Sequence, residues 1–373
     1  MSQPRSIFED VSAQAPKSAP IKTRDNNPKA VRIWLWLLFA LVTVMILVGG
    51  ATRMTDSGLS ITDWDLIMGS LPPTSAEAWA SNFEKYKLTQ EFQLQNASMT
   101  LAEYKGIFWW EWGHRFLGRI IGLVWIAGFA IFALRKQVRR DRMPAIFSIG
   151  ILIGLQGVVG ILMVKSGYIG DRVDVASYAL ATHLGLAFII VGAIYWNIKY
   201  LSRSPEALVE ARRRGDAGRS RFARLLAVFV FLQIILGALV AGIDGGMSYN
   251  DWPKMGGEWF SSEAFLMTPW WKNFFENPAL VQFLHRINAY LLVIFAGIQY
   301  WNSRRAPYKQ WRFVGWHVLM AIFIQVVLGI ATLVMLVPLY MGLLHQGVAI
   351  AIWIAALSAM FAYRYPRAQS VRD

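Results

Sequence analysis

Eight long apolar stretches constrain the fold of this chain more than any other feature of its sequence. A helix that crosses a lipid bilayer needs about 20 consecutive, mostly apolar residues. With 55% of its 373 residues hydrophobic, the chain is too apolar for an ordinary soluble domain. The predicted spans are 33–50, 112–134, 144–164, 177–196, 222–243, 278–300, 313–337 and 339–362. The sequence therefore predicts an all-α integral membrane protein with eight transmembrane helices.

The charged residues between these spans predict how the chain is oriented. There are 37 Lys and Arg against 23 Asp and Glu, which gives a net charge of +14. Basic residues concentrate before the first span, after the last span and in every second connection, whereas the other connections are acidic or neutral. Because basic loops stay on the cytoplasmic side of a membrane, both termini are predicted to be cytoplasmic. This distribution accounts for the basic balance without a nucleic-acid partner.

An internal repeat divides the chain into two halves. The stretch "GGATRMTDSGLSITDWD" from Gly49 aligns with "GALVAGIDGGMSYNDWP" from Gly237, and "QGVVGILMV" from Gln156 aligns with "QVVLGIATLV" from Gln325. Other positions match in the same order: His114-Arg115 with His285-Arg286, and His183 with His345. Four spans per copy make the copies parallel repeats. We therefore predict two pseudosymmetric four-helix bundles, residues 31–199 and 222–363, with a long outer loop (51–111) in the first. A cytoplasmic linker (200–221) joins them, and tails 1–30 (disordered) and 364–373 flank them.

Four of the five histidines follow this repeat. His114, His183, His285 and His345 are each predicted within the first two turns of a helix that enters from the outer side, which places them at one depth. A pair of imidazoles on neighbouring helices of a bundle can hold a flat metal macrocycle from both sides. Zinc needs three or four ligands close together, and the chain has no cysteine. Bis-histidine heme therefore fits better. His317 has no repeat partner and is interpreted as structural or interfacial.

The two halves differ just before the first histidine of each pair. Glu111 precedes His114 by three residues, so both lie on one helix face. The same offset before His285 gives Gln282. A carboxylate can act as a base or stabilise developing positive charge, and an amide can do neither. We therefore predict that the chemistry takes place in the first half and that a resident heme lies in the second. The alternative is that Glu111 is an acid favoured by the helix dipole.

The arginines that follow these histidines have two interpretations. Arg115 and Arg286 lie one step round the helix, near the outer interface. Heme propionates are carboxylates, which arginine binds through two parallel hydrogen bonds. Arginine also reaches lipid phosphates from such positions. The sequence leaves both open.

Several stretches resemble one known family. They are "FWWEWGHRFLGR", "GGATRMTDSGLSITDW", "FEKYKLTQEFQLQN", "MTLAEYK" and the later "FLHR". Together they resemble the heme A synthase family, over residues 32–363. The E-x-x-H-R motif with the loop motif is the specific part. Some members carry a cysteine pair in an outer loop, and this chain has none, so it is similar to the cysteine-free, alphaproteobacterial or mitochondrial-like branch.

The resemblance implies an activity and a set of ligands. Heme O would be oxidised at a ring methyl to a formyl group, giving heme A for cytochrome oxidase. His285 and His345 would ligate a heme b cofactor, and His114 and His183 would ligate the substrate heme beside Glu111. The implied location is the bacterial inner membrane. The implied partners are membrane lipid, a heme O synthase, further copies of the chain and an electron acceptor that the sequence does not name.

Two other functions use some of the same features. A membrane b-type cytochrome that only transfers electrons, linked to quinone, would need the four histidines and two resident hemes, but it would not need Glu111. A transporter would also account for parallel repeats, but it predicts discontinuous helices with polar residues at the middle of the membrane. Here the polar residues lie mainly towards the outer edge, so the transporter is the weaker alternative.

Overall fold

Eight long helices form the body of the protein, as the apolar stretches predict. The computed structural model describes residues 28–63, 71–170 and 172–368. The long helices are α1 (Pro28–Met54), α2 (Leu101–Leu134), α3 (Met143–Ser166), α4 (Ser177–Leu201), α5 (Ala217–Gly242), α6 (Pro278–Ser303), α7 (Lys309–Val334) and α8 (Leu339–Arg364). Each is long and apolar enough to cross a membrane, which confirms the eight predicted spans. The predicted tail residues 1–27 and 369–373, and the repeat position Trp64, lie outside the described residues.

Helix α2 is longer than its apolar stretch predicts. It begins at Leu101 rather than Trp112, because Thr100 and Glu103 form a reciprocal capping box at its start. At 34 residues it is about 50 Å long, well beyond the roughly 30 Å hydrocarbon core of a bilayer. The prediction that His114 lies within the first two turns of its helix is therefore wrong, since it is preceded by more than three turns. The other three repeated histidines do lie in the first two to three turns of α4, α6 and α8.

The sequence also predicts caps at two other helix starts, Ser177 at one and Asn277 before Pro278 at the other. Asn277 caps α6 as expected, since its side chain accepts hydrogen bonds from the backbone N–H groups of Ala279 and Leu280, with Pro278 in the first turn. Ser177 is not the cap of α4. It is the first helical residue, and its hydroxyl donates to the carbonyl of Phe275 instead, at 2.7 Å. This bond joins the start of α4 to the loop before α6.

The same helix pairs are in contact in both halves. Helices α1 and α3 each pack against α2 and α4, and α5 and α7 each pack against α6 and α8. The halves meet where α4 packs on α5 and α1 packs on α8. The main buried cluster takes residues from all eight helices and most of them from these four, with Leu35, Ile194, Leu226 and Ala356 among its members. These matched contacts agree with the internal repeat, and the two-fold relation between whole bundles stays a prediction.

The first outer loop folds onto the extended start of α2. It contains the short helices Ala76–Lys87 and Gln90–Leu94. Phe83 and Tyr86 of the first short helix pack with Tyr104 and Phe108 of α2 in a cluster of their own. The rings of Tyr86 and Tyr104 stack with their centroids 5.2 Å apart. The described part of this loop therefore forms a fixed cover over the outer end of the first half.

The segment between the halves also carries a helix. Helix Pro205–Arg213 lies within the predicted linker and is capped by Ser204. Leu208 and Ala211 on its apolar face are buried against Phe361 and Tyr365 at the end of α8. The linker is therefore docked on the same side of the molecule as the end of α8.

Arg53 joins the two halves at their outer face. Its guanidinium lies 2.8 Å from Asp56, 3.6 Å from Asp174 and 2.7 Å from Asp244. Asp56 and Asp244 are repeat-related and share the left-handed conformation, with φ of 46° and 47°. Burial raises the pKa of Asp56 and of Asp174, and the charge of Arg53 opposes that rise. One arginine thus holds three loop carboxylates, two from the first half and one from the second.

Candidate functional site

The structure brings the first predicted histidine pair together. The imidazoles of His114 on α2 and His183 on α4 have ring centroids 6.4 Å apart, at an interplanar angle of 60°. Both helices flank α1, and α3 closes the other side of the pair. Two imidazoles that share one metal need their facing nitrogens about 4 Å apart, since a metal–imidazole bond is about 2 Å. The observed separation of the two rings is compatible with a shared metal.

A glycine on a neighbouring helix lies against each of the four repeated histidines. A methyl group added at Gly49 would lie 3.1 Å from the ring of His114, and one at Gly160 would lie 3.0 Å from that of His183. In the second half the distances are 3.1 Å from Gly237 to His285 and 2.9 Å from Gly329 to His345. Three of these distances are shorter than nine in ten real Cβ contacts, and the one at Gly329 is shorter than real Cβ atoms essentially ever show. The four glycines are repeat-related pairs, so both halves seat their imidazoles in the same way.

Three of these histidines are also held by a glutamine. The side-chain amide of Gln156 donates to the carbonyl oxygen of His183 at 3.0 Å, that of Gln233 to His285 at 3.0 Å, and that of Gln325 to His345 at 2.9 Å. Each glutamine precedes one of the glycines just described by four residues, so both lie on one helix face. The sequence analysis did not assign these glutamines, although the spacing Q-x-x-x-G recurs in α3, α5 and α7.

The donor set fits a metal macrocycle better than a bare ion. Among the described residues, no group of three or more His, Cys, Asp or Glu side chains could hold a metal ion. Each half offers two imidazoles, which suit the two axial positions of a heme whose ring supplies the other four ligands. The Nδ1 atom of His345 is buried and makes no hydrogen bond within the described part of the chain. A buried ring nitrogen of this kind needs a partner, and a metal can supply one.

Glu111 is buried and fully engaged at the mouth of the first half. One carboxylate oxygen accepts from the guanidinium of Arg115 at 2.5 Å. The other accepts from the hydroxyl of Ser60 at 2.7 Å and from the backbone N–H of Ile61 at 2.8 Å. Only 2% of Glu111 is exposed. The outer loop therefore fixes this carboxyl group in place, and the hydrogen bonds from its partners offset part of the cost of burying it.

In the second half Gln282 takes the place of Glu111, and the loop offers it hydrogen-bond acceptors instead of donors. Gln282 accepts from the guanidinium of Arg286 at 2.8 Å, and its amide donates to the carbonyls of Gly245 at 2.7 Å and Tyr249 at 3.2 Å. In the first half the loop supplies donors to a carboxylate, and in the second it supplies acceptors to an amide. The difference between Glu111 and Gln282 is thus built into the surrounding backbone as well as into the side chain.

Arg115 on α2 and Arg286 on α6 make matching contacts with the loops. Arg115 donates to the carbonyls of Ile61 and Asp63, and Arg286 donates to those of the repeat-related Tyr249 and Asp251. Both arginines therefore hold an outer loop onto the helix that carries the histidine. Their predicted role as propionate partners stays a prediction.

His317 lies apart from both pairs. It is exposed on α7, and its ring stacks on that of Phe313 with centroids 3.7 Å apart. Its Nδ1 lies 2.8 Å from the carbonyl of Phe313. This placement agrees with its interpretation as a structural or interfacial histidine.

Glu91 is a second buried carboxyl group in the outer loop, and the sequence analysis did not single it out. It is 3% exposed, and its Oε2 has no hydrogen-bond partner within the described residues. Burial raises its pKa to about 8. The negative charges of Asp174, Glu111 and Asp56 act in the same direction, and the positive charge of Arg53 opposes them. A sequence offers no signal for such burial, because the residue lies in a short polar helix.

We expect this carboxyl group to make stability depend on pH. Its pKa is higher in the folded protein than the ordinary value of 4.5, so its contribution to stability is lost as pH rises from 4.5 to about 8. Glu91→Gln removes that loss. The melting temperature of the variant should match the wild type near pH 4.5 and exceed it by about 3–6 °C at pH 8.5. The exposed Glu84→Gln is the control and should show no such trend. An equal offset at both pH values would contradict the prediction.

Comparison with known proteins covers both halves of the chain. A family model described as cytochrome oxidase assembly protein matches residues 32–357. The protein named heme A synthase from Roseobacter denitrificans is 49% identical over 100% of both chains. Those from Paracoccus denitrificans and Cereibacter sphaeroides are 48% and 42% identical, each over 99% of this chain and 98% of the relative. These matches confirm the resemblance seen in the sequence. The chain therefore belongs to the cytochrome oxidase assembly protein family, together with relatives named heme A synthase.

Proposed function

We propose that this protein is a heme A synthase, which oxidises a ring methyl of heme O to a formyl group. The observation that carries the proposal is the combination of two matched histidine pairs with a buried carboxylate at only one of them. An electron-transfer cytochrome with two equivalent hemes would not require a carboxylate at Glu111 and an amide at Gln282. The names of the relatives support the same reaction.

The proposed roles follow the two halves. His285 and His345 would hold heme b as the resident cofactor, which would supply a route for electrons through the membrane domain. His114 and His183 would hold the substrate heme. Glu111 would stand beside the methyl group that is oxidised. Arg115 and Arg286 would bind the propionates through their guanidinium groups.

Glu111 supplies the acid–base chemistry in this proposal. Oxidation of a methyl group to an alcohol with water releases two protons and two electrons, and oxidation of the alcohol to an aldehyde releases two more of each. A carboxylate fixed by Arg115, Ser60 and Ile61 can accept a proton from the attacking water or stabilise positive charge on the substrate. The electrons pass to an acceptor outside the chain.

The proposed setting is the bacterial inner membrane, with both termini in the cytoplasm. The eight apolar helices support a multi-pass membrane protein. The orientation rests on the basic connections. The outer loop over the first half would then face the periplasm. A heme O synthase that supplies the substrate, and self-association of the chain, are proposed partners on the strength of the family alone.

The test is the identity of the hemes that the purified protein carries. We expect heme b together with heme O, an alcohol intermediate or heme A, extracted from the wild-type protein and identified by chromatography and mass. Heme b alone, at two per chain, would overturn the proposal and favour a cytochrome that only transfers electrons.

A further inference from the structure

The four histidines differ in the side chains that hold them. His114 differs from the other three, including its own pair partner His183. Gln156, Gln233 and Gln325 each hold a histidine carbonyl, as described above. The position that is repeat-related to Gln233 is Met45, four residues before Gly49. His114 therefore has a thioether where His285 has an amide.

The support of His285 has two layers. The side-chain nitrogen of Gln233 lies 3.0 Å from the carbonyl oxygen of His285 and 3.1 Å from each of its ring nitrogens. The side-chain oxygen of Gln233 in turn accepts from the amide of Asn288 at 2.7 Å. Asn288 is 4% exposed and also donates to the carbonyl of Phe229 at 3.1 Å. The glutamine is thus fixed at both ends of its amide.

The other two glutamines lack the second layer. The side-chain oxygens of Gln156 and Gln325 are buried and have no hydrogen-bond partner within the described residues. Their amide nitrogens donate to the histidine carbonyls, but within the described residues no group donates a hydrogen bond to their side-chain oxygens. Among the three glutamines, only Gln233 is anchored by a second side chain.

At His114, apolar groups replace both layers. The residue that is repeat-related to Asn288 is Leu117, since both lie three positions after their histidine. The terminal methyl of Met45 reaches Gly118, to within 3.1 Å of where a Cβ would lie. A thioether is flexible and makes no directional bond, so it tolerates movement of its neighbours. Satisfied buried polar networks, in contrast, rigidify the groups they contain.

We infer that Gln233 and Asn288 are positioning residues that lock His285 so that its heme is retained, whereas Met45 and Leu117 leave His114 free to release its heme. This inference rests on the proposed function, in which the first half must take up a substrate heme and give up a product heme while the second keeps its cofactor. A ligand on a pre-organised support dissociates more slowly, because less movement is available to it.

The test compares heme release from the two halves of the full-length protein. The double variant Gln233→Met/Asn288→Leu copies the first half into the second. It is made in a His114→Ala background, which leaves only the second histidine pair for heme. Transfer of heme to an excess of apomyoglobin measures release, and electron paramagnetic resonance of the oxidised protein reports the geometry of the two axial imidazoles.

We expect the double variant to release heme at least 10-fold faster and to show a broadened or shifted low-spin signal. Gln325→Met is the comparison variant, since this glutamine holds His345 without the second layer, and it should speed release less than the double variant does. The reciprocal variant Met45→Gln/Leu117→Asn should slow release from the first half in the presence of an intact second half. It also tests the inference if the double variant does not fold.

Unchanged release and an unchanged signal in the folded double variant would overturn the inference, as would an equal effect of Gln325→Met. Failure of the proposed function is seen separately. It would appear as two copies of heme b in the wild type, whereas release from the second half remains measurable whichever heme the first half binds.

Discussion

Replacing Glu111 with glutamine is expected to stop the oxidation while leaving the resident heme in place. Acid–base groups of this kind contribute about 100-fold to 10,000-fold to the rate. The variant should therefore make at least ~100-fold less heme A and accumulate heme O, with heme b unchanged. Chromatography and mass spectrometry of the extracted hemes measure all three in one sample. Heme A at the wild-type level would remove Glu111 from the chemistry.

The structure shows why a glutamine at this position is not a silent replacement. Ser60 and the N–H of Ile61 donate to one carboxylate oxygen, and Arg115 donates to the other. An amide has one acceptor, so its NH₂ group must face a donor on one side or the other. A mismatch of this kind costs about 1–3 kcal/mol. The loop around Gln282 avoids it by offering carbonyls instead.

A control must therefore separate the lost carboxylate from a loosened loop. Ser60→Ala removes one donor to Glu111 and keeps the charge, so it loosens the same contact without removing the base. We expect it to lower heme A formation by about 3-fold, since a single net hydrogen bond contributes about 1 kcal/mol or less. If Ser60→Ala lowered heme A as far as Glu111→Gln, the loop contact would explain both effects.

Much of the fold could be predicted because membrane spans and their repeat leave a strong trace in the sequence. An apolar run of about 20 residues has few outcomes other than a spanning helix. The ordered matches around His114, His183, His285 and His345 identified four residues that are distant in sequence. For the first pair, the structure places the two rings with their centroids 6.4 Å apart.

The start of α2 was not predictable in the same way. Residues 101–111 mix apolar and charged side chains, so a search for apolar runs begins only at Trp112. The helix extends back to Leu101 because a capping box starts it and because Tyr104 and Phe108 pack on the outer loop. These contacts join residues about 20 positions apart in a loop without periodicity. The position predicted for His114 within its helix was wrong for this reason.

The partners of the site residues were also beyond the sequence. Ser60 lies about 50 positions from Glu111, and nothing in its local pattern marks it as a donor to a buried carboxylate. Met45 was equally hidden, because a methionine in an apolar helix is indistinguishable from a lipid-facing residue until its neighbours are known. Its position opposite Gln233 in the repeat becomes informative only once Gln233 is seen to hold His285.

The second large effect is expected when single histidines are removed. His285→Ala and His345→Ala should each lose heme b, because each removes one of the two axial ligands of the resident site. His114→Ala and His183→Ala should keep heme b and lose heme O and heme A together. The pyridine adduct spectra of the four variants measure total heme, and chromatography assigns each species. Reduced amounts of both hemes in all four variants would contradict the division between the halves.

The same set distinguishes loss of a ligand from loss of the fold. His317→Ala is the matched control, since this histidine is exposed on α7 and lies outside both pairs, and it should retain the full heme content. Gly329→Ala tests the contact that positions the imidazole, and it leaves the ligand itself in place. Its added methyl would lie 2.9 Å from Cε1 of His345 and 3.5 Å from Nδ1, so the imidazole must shift. Binding of heme b should then be weaker, although His345 is still present. Because Gly160 faces His183 in the same way, Gly160→Ala should weaken binding of the substrate heme instead. If each glycine variant affects only the heme of its own half, the two heme sites belong to the two halves of the repeat.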